Sequence, residues 1–202
     1  MEVKGIEQNS VNEIVINKSK FIAYSFAVNN LQEIDEKLAF LRQKHPDATH
    51  ICYAYSLYPN KEKSFDDAEP QGTAGKPILD CIKKGGYQNV LVAVVRYFGG
   101  AKLGAGGLVR AYSSGASNVL KISGIKIAEK CCKLNFFLNI NESKYLKTLQ
   151  NLNFKKFEHA FDEEISISAY CKIDDFDSIK NQVKNILARD VNFIVDASDY
   201  FI

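Results

Sequence analysis

Hydrophobic and polar positions along the chain change period several times, and each change marks an element. Val11 to Ile16 and Phe21 to Val28 are strand-like runs separated by the polar turn Asn17-Lys18-Ser19-Lys20. Asn30 followed by Glu33 has the form of a capping box. Leu31, Ile34, Leu38 and Leu41 then keep helical spacing until His45-Pro46 stops it. Ile51 to Tyr58 alternates as a third strand. Residues 60–75 show no periodicity and are expected to form a long loop. Pro77 suits a first helical position, with Ile78, Leu79 and Ile82 on one stripe and Gly85-Gly86 as the stop. Leu91-Val92-Ala93-Val94-Val95 is continuously apolar and β-branched, as expected of a strand covered on both faces.

After that strand, residues 99–107 hold five of the chain's twelve glycines. From Leu108 the spacing predicts a helix with Leu108, Tyr112, Gly115 and Val119 on one stripe and Arg110, Ser114, Ser117 and Lys121 opposite. A short strand is expected near Ile125 to Ala128. Beyond Cys131 the pattern predicts a strand (Leu134 to Ile140), a helix capped by Asn141 and two strands (Phe154 to Phe161, Ile165 to Cys171). A helix capped by Asp175 and a last strand (Val191 to Ala197) complete it. The order βαββαβ is that of a split βαβ, ferredoxin-like domain. Two domains are therefore expected, residues 1–130 and 131–202.

Composition adds little until it is placed along the chain. The 202 residues are 46% hydrophobic and 25% charged, ordinary for a globular protein. The charged start lacks the apolar core of a signal peptide, and no apolar run has membrane-spanning length. Five cysteines without Cys-x-x-Cys spacing point to free thiols and a cytoplasmic setting. The net charge of +2 conceals an asymmetry: residues 1–130 carry 17 basic and 13 acidic groups, and residues 131–202 carry 9 and 11. Between Lys76 and Lys126, eight basic residues face one acid, Asp80.

That excess surrounds the glycine stretch, and a glycine loop feeding a helix presents free N–H groups at the positive end of a dipole. Lys76, Arg96, Gly99, Gly100, Lys102, Gly104, Gly106, Gly107 and Arg110 form the candidate anion or nucleic-acid site. The stretch matches neither nucleotide fingerprint. Gly106-Gly107 is followed by Leu108-Val109 rather than Lys and Ser or Thr, and Val109 stands where a dinucleotide loop has its third glycine. Asp66, Asp67 and Glu69, with Thr73, have the oxygen chemistry for Mg²⁺, but an acidic surface loop is the preferred reading. His50-x-Cys52 has no second pair at zinc spacing, and no catalytic residue, cofactor or metal is assigned. Tyr87, Tyr97, Phe98 and Tyr112 are aromatics available either for bases or for the core.

Four blocks carry a family resemblance. They are Lys20-Phe21-Ile22, His50 to Tyr55, Asp66-Asp67-Ala68-Glu69-Pro70-Gln71-Gly72-Thr73-Ala74-Gly75-Lys76-Pro77-Ile78-Leu79 and Val95 to Tyr112. Together they resemble the YigZ/IMPACT family over essentially the whole chain. The resemblance departs at Ala68, where the family usually has glycine, so a less strained turn is expected there. Gln71 stands where a small residue is common.

The resemblance implies an α+β protein. Its N-terminal domain would share the fold of ribosomal-protein and elongation factor G domain IV modules, and its C-terminal domain would be ferredoxin-like, similar to elongation factor G domain V. It implies a tie to translation control with RNA or the ribosome as partner, without a membrane. Eukaryotic members add an RWD domain that contacts a regulatory partner, and this chain begins at the YigZ part, so that interaction is not expected. The alternative is an enzyme whose glycine loop holds a nucleotide or another phosphorylated small molecule in kinase fashion, with Mg²⁺ on the acidic loop.

Overall fold

A computed structural model describes the backbone of residues 2–201 and the side chains of residues 2–196. The fold is α+β, with two five-stranded sheets and five α-helices. It divides into two compact units. One is Val3–Ile127; the other runs from Ala128 onward and includes Glu2.

In the first unit the sheet is ordered β2-β3-β6-β4-β5 and is antiparallel throughout. These strands are β2 (Ser10–Ile16), β3 (Ser19–Ala27), β4 (His50–Leu57), β5 (Lys61–Phe65) and β6 (Val90–Tyr97). The short β1 (Glu2–Gly5) precedes them. Between β2 and β3, Asn17 and Lys18 both take positive φ, the turn that matches strand twist in a two-residue hairpin. Helix α1 (Leu31–Lys44) starts with half of the expected capping box, since Glu33 bonds to the residue before the N-cap Asn30. Asn30 Oδ1 accepts the Glu33 N–H at 2.9 Å, and Glu33 Oε2 accepts the Asn29 N–H at 3.0 Å.

Helix α1 covers one face of the sheet, where Ile34, Leu38 and Leu41 pack on Tyr24, Tyr55, Leu91, Ala93 and Val95. Helices α2 (Gly75–Gly85) and α3 (Gly104–Ile122) cover the other, packing on Phe21, Cys52, Val90, Val92 and Val94. Alternate β6 residues thus enter two different cores. This explains its unbroken apolar sequence in a sheet that is antiparallel rather than parallel.

The second unit uses β7 (Lys126–Leu138), β8 (Lys156–Phe161), β9 (Ile165–Lys172) and β10 (Ile194–Phe201). β9 lies between β7 and β8, and β10 pairs with β7, every pairing antiparallel. β1 is the fifth strand of this sheet, on β7. Helices α4 (Leu146–Gln150) and α5 (Phe176–Leu187) complete the βαββαβ order. One core forms, with Leu134, Phe136, Leu138, Leu149, Ile165, Ile179 and Val183 buried together.

Several elements differ from the sequence reading. Residues 61–65 form a strand, not loop; all five are exposed on the sheet's edge, so no alternation marks them. The strand near Ile125 and the strand at Leu134 are one continuous β7. The cap after β7 is Asn139, paired reciprocally with Glu142, rather than Asn141. Asp175 makes no cap bond and instead accepts a hydrogen bond from Asn153 at 3.0 Å. The last strand starts at Ile194, three residues late.

A self-contained core of this size supports independent folding. A fragment of residues 126–202, keeping β7 whole, is expected to unfold cooperatively and give dispersed amide NMR signals. A fragment without either would show that this unit depends on the rest of the chain.

Candidate functional site

Helix α3 begins at Gly104, four residues before the apolar periodicity, so Gly104, Gly106 and Gly107 lie in its first turn rather than in a loop. Leu103 stands at the N-cap without a side-chain cap bond. The first N–H groups of a 19-residue helix are therefore left to solvent or a ligand. The glycines divide by purpose. At Gly99 a Cβ would sit 2.0 Å from the Lys18 backbone carbon, so only glycine lets the two loops close. Gly100 and Gly104 have φ of +88° and +69°, where other residues are strained. Gly106 has neither reason: it is exposed, with nothing within 4 Å of its would-be Cβ.

The acidic loop stands opposite. Asp66 accepts three backbone N–H groups, from Gly75 at 2.8 Å, Gly72 at 2.9 Å and Ala74 at 3.0 Å. Burial alone would raise its carboxyl, but these three donors outweigh it and hold the group below the usual range. Asp67 Oδ2 accepts the Ile51 N–H at 2.7 Å, and Thr73 donates to the Pro70 carbonyl at 2.6 Å. Glu69 is buried. Its Oε1 accepts from Arg96 Nη1 at 2.6 Å and from the Tyr112 hydroxyl at 2.7 Å. Burial pushes Tyr112 far above its ordinary value, with Cys52 and Glu69 adding to the effect. Burial likewise pushes the Cys52 thiol up to about 12, which keeps it protonated and non-nucleophilic.

These elements enclose a cavity of about 470 Å³. Its lining comprises Thr49, His50, Glu69, Pro70, Arg96 and Phe98, with Lys102, Leu103, Gly104, Ala105 and Leu108 from the start of α3. His50 Nδ1 lies 2.6 Å from the Asp67 carbonyl, which can only accept. The proton therefore sits on Nδ1, and in the neutral ring Nε2 is an acceptor.

The candidate anion residues are separated by this geometry. Lys102 and Gly104 line the cavity. Gly106, Gly107 and Arg110 continue along α3, with Gly106 and Arg110 on its outward stripe. Gly99 and Gly100 line a different concavity with Asn17, Lys18 and Ala101. Lys76 is exposed on α2, 3.8 Å from Asp80. Arg96 differs most from expectation. It is 5% exposed and its charge is met by Glu69, so it shapes the cavity wall rather than standing free at the surface.

The acidic residues are likewise engaged by the chain itself, and no group of three His, Cys, Asp or Glu side chains among the described residues is arranged to hold a metal ion. Of the aromatics, Phe98 is exposed at the cavity while Tyr112 is wholly buried, edge-on to Phe21. Sequence reasoning did not place His50 or Thr49 at this site. The pairing of β4 with β6, which sets His50 opposite Arg96, brings them there.

Residues 17–120 match the family model of the Impact N-terminal domain, more than half of the chain. The chain belongs to the YigZ/IMPACT family. IMPACT family member YvyE of Bacillus subtilis is 43% identical over 122 residues, covering 59% of this chain and 56% of that protein. YigZ of Escherichia coli, another family member, is 38% identical over 110 residues, covering 52% and 54%. The chain spans a little over half the length of these IMPACT relatives. A solved structure of a hypothetical protein superposes with a TM-score of 0.73 over 98% of both chains at 21% identity, a likeness of fold.

The turn at Ala68, expected to carry little strain, is strained. Ala68 has φ of +62° and follows Asp67 at +44°. A left-handed alanine costs about 1–2 kcal/mol, partly offset by the extra unfolded-state entropy of glycine. Ala68→Gly is expected to raise unfolding free energy by about 0.5–1 kcal/mol in denaturant titration. A loss of stability would mean that the turn carries no such strain.

Proposed function

We propose that this chain acts in translation as a non-enzymatic protein that binds RNA, free or in the ribosome, through phosphate contacts at the start of α3. The family resemblance supplies the link to translation. On this reading the N-terminal unit corresponds to the module shared by ribosomal proteins and elongation factor G domain IV. The antiparallel βαββαβ unit corresponds to a ferredoxin-like domain akin to elongation factor G domain V.

The observation that carries the proposal is the uncapped first turn of α3. Its free N–H groups, the exposed Lys102 beside them and the open space over Gly106 suit a phosphate backbone approaching closely. Glycine in a helix costs about 0.5–1 kcal/mol relative to alanine, and nothing in the chain requires it at 106. Arg110, one turn further on the same outward stripe, extends the positive surface along the helix.

Because Arg96 is neutralised internally, Lys102 and Arg110 are the two cations expected to displace counterions. Each single-stranded contact contributes about −0.7 to the slope of log K against log salt, so a slope of about −1.4 is expected. A fourfold rise in salt then weakens binding about sevenfold. Lys102→Ala should flatten the slope by about 0.7 and weaken unrelated sequences alike, since phosphate contacts carry no sequence information. Lys147→Ala, which removes an exposed lysine of the second unit, should do neither. An unchanged slope in Lys102→Ala would exclude the start of α3 as the contact.

A further inference from the structure

Phosphate contacts leave part of the cavity's chemistry unused. Glu69 has a side chain only 3% exposed, and both of its donors, Arg96 and Tyr112, bind the same oxygen, Oε1. Glu69 lines the cavity, and its Oε2 meets no donor from the described residues. His50 Nε2, an acceptor in the neutral ring, lies 4.0 Å from Glu69 Oε1, too far for a bond between them. The buried Arg96 Nε also lacks a partner.

Two neighbouring acceptors without donors call for a ligand that supplies O–H groups. A phosphate dianion supplies none and would be repelled by Glu69. A sugar hydroxyl supplies them. Beside Arg96, Phe98 presents a ring that is 46% exposed, with the guanidinium 5.5 Å from its centroid. An exposed aromatic backed by a cation is a stacking surface for a base. The volume of about 470 Å³ falls in the range of small-ligand sites.

We propose that the cavity seats one ribonucleotide unit. Its phosphate faces Lys102 and the start of α3, its base lies against Phe98, and its 2′-hydroxyl, with one proton to give, donates to His50 Nε2 beside Glu69. This rests on the phosphate reading above and adds to it a preference for ribose over deoxyribose, since the 2′-hydroxyl is the group DNA lacks. Apolar Leu103 and Leu108 also line the cavity.

The test compares three probes on the full chain at fixed salt: a short oligoribonucleotide, the oligodeoxyribonucleotide of the same sequence and a ribonucleoside 5′-monophosphate. The oligoribonucleotide is expected to bind about tenfold more tightly than its deoxy counterpart, the loss expected when buried acceptors stay unpaired. His50→Ala should remove most of that difference, weakening RNA binding far more than DNA binding, and His50→Gln, which keeps an acceptor, should restore part of it. A melting curve for each variant separates lost recognition from lost fold, and the wild-type comparison needs no variant.

Equal RNA and DNA affinity with a normal Lys102 dependence would overturn the ribose site and leave the phosphate site standing. Loss of the Lys102 dependence would overturn the underlying reading. A monophosphate that binds as tightly as the oligoribonucleotide, with the same His50 dependence, would support the ribonucleotide site and identify free nucleotide rather than RNA as its source.

Discussion

One buried ion pair organises the first unit. Arg96 leaves the end of β6, Glu69 comes from the acidic loop and Tyr112 from the middle of α3, and all three meet at a single carboxylate oxygen. Burying two charges carries a desolvation penalty of several kcal/mol per ion, recovered only when geometry and hydrogen bonding are good. Here the pair is 2.6 Å long, and the phenol adds a further donor. Removing either partner would strand the other charge in a region where Val94, Phe21 and Tyr112 exclude water. The pair therefore acts as a lock on geometry more than as a source of net stability.

The lock works because the acidic loop is itself rigid. Asp66 gathers three backbone donors from residues 72–75, so the loop closes on its own carboxylate and delivers Pro77 into α2. Gly75 allows that closure, since a Cβ there would lie 2.5 Å from the backbone nitrogen of Phe65. Asp66 ionisation contributes its stabilisation above the ordinary aspartate range, and this is lost as pH falls through the lowered pKa of the folded state. What reads in sequence as an acidic cluster is a backbone scaffold. Asp67 and Glu69 each keep one oxygen without a donor from the described residues, and of the two Glu69 lines the cavity.

Much of this was legible in the sequence, and the failures share a cause. Elements whose residues alternate between water and core were found by their periodicity, as in β2, β9, α1 and α5, and β3 and β4 were found although both of their faces are largely buried. β6 was found by its continuous apolar run, because both faces are covered. β5 was missed because all five of its residues are exposed. The start of α3 was missed because glycine carries no side chain to mark a face. The candidate site was located to the right stretch but not resolved within it. Basic residues in sequence do not say which are neutralised, and only the approach of Glu69 across 27 positions distinguishes Arg96 from Lys102. His50 carried no signal of its own, since its place depends on the pairing of β4 with β6.

The central claim is that Arg96 and Glu69 act as one buried unit that fixes the wall of the cavity, and a double-mutant cycle on unfolding free energy tests it most directly. Arg96→Met and Glu69→Gln should each cost about 3–5 kcal/mol, because each leaves or weakens a buried, half-satisfied group. The double variant should recover about 2 kcal/mol or more of the summed loss. Losses that add to within about 0.5 kcal/mol would contradict the account, for they would mean that the two residues stabilise the fold independently.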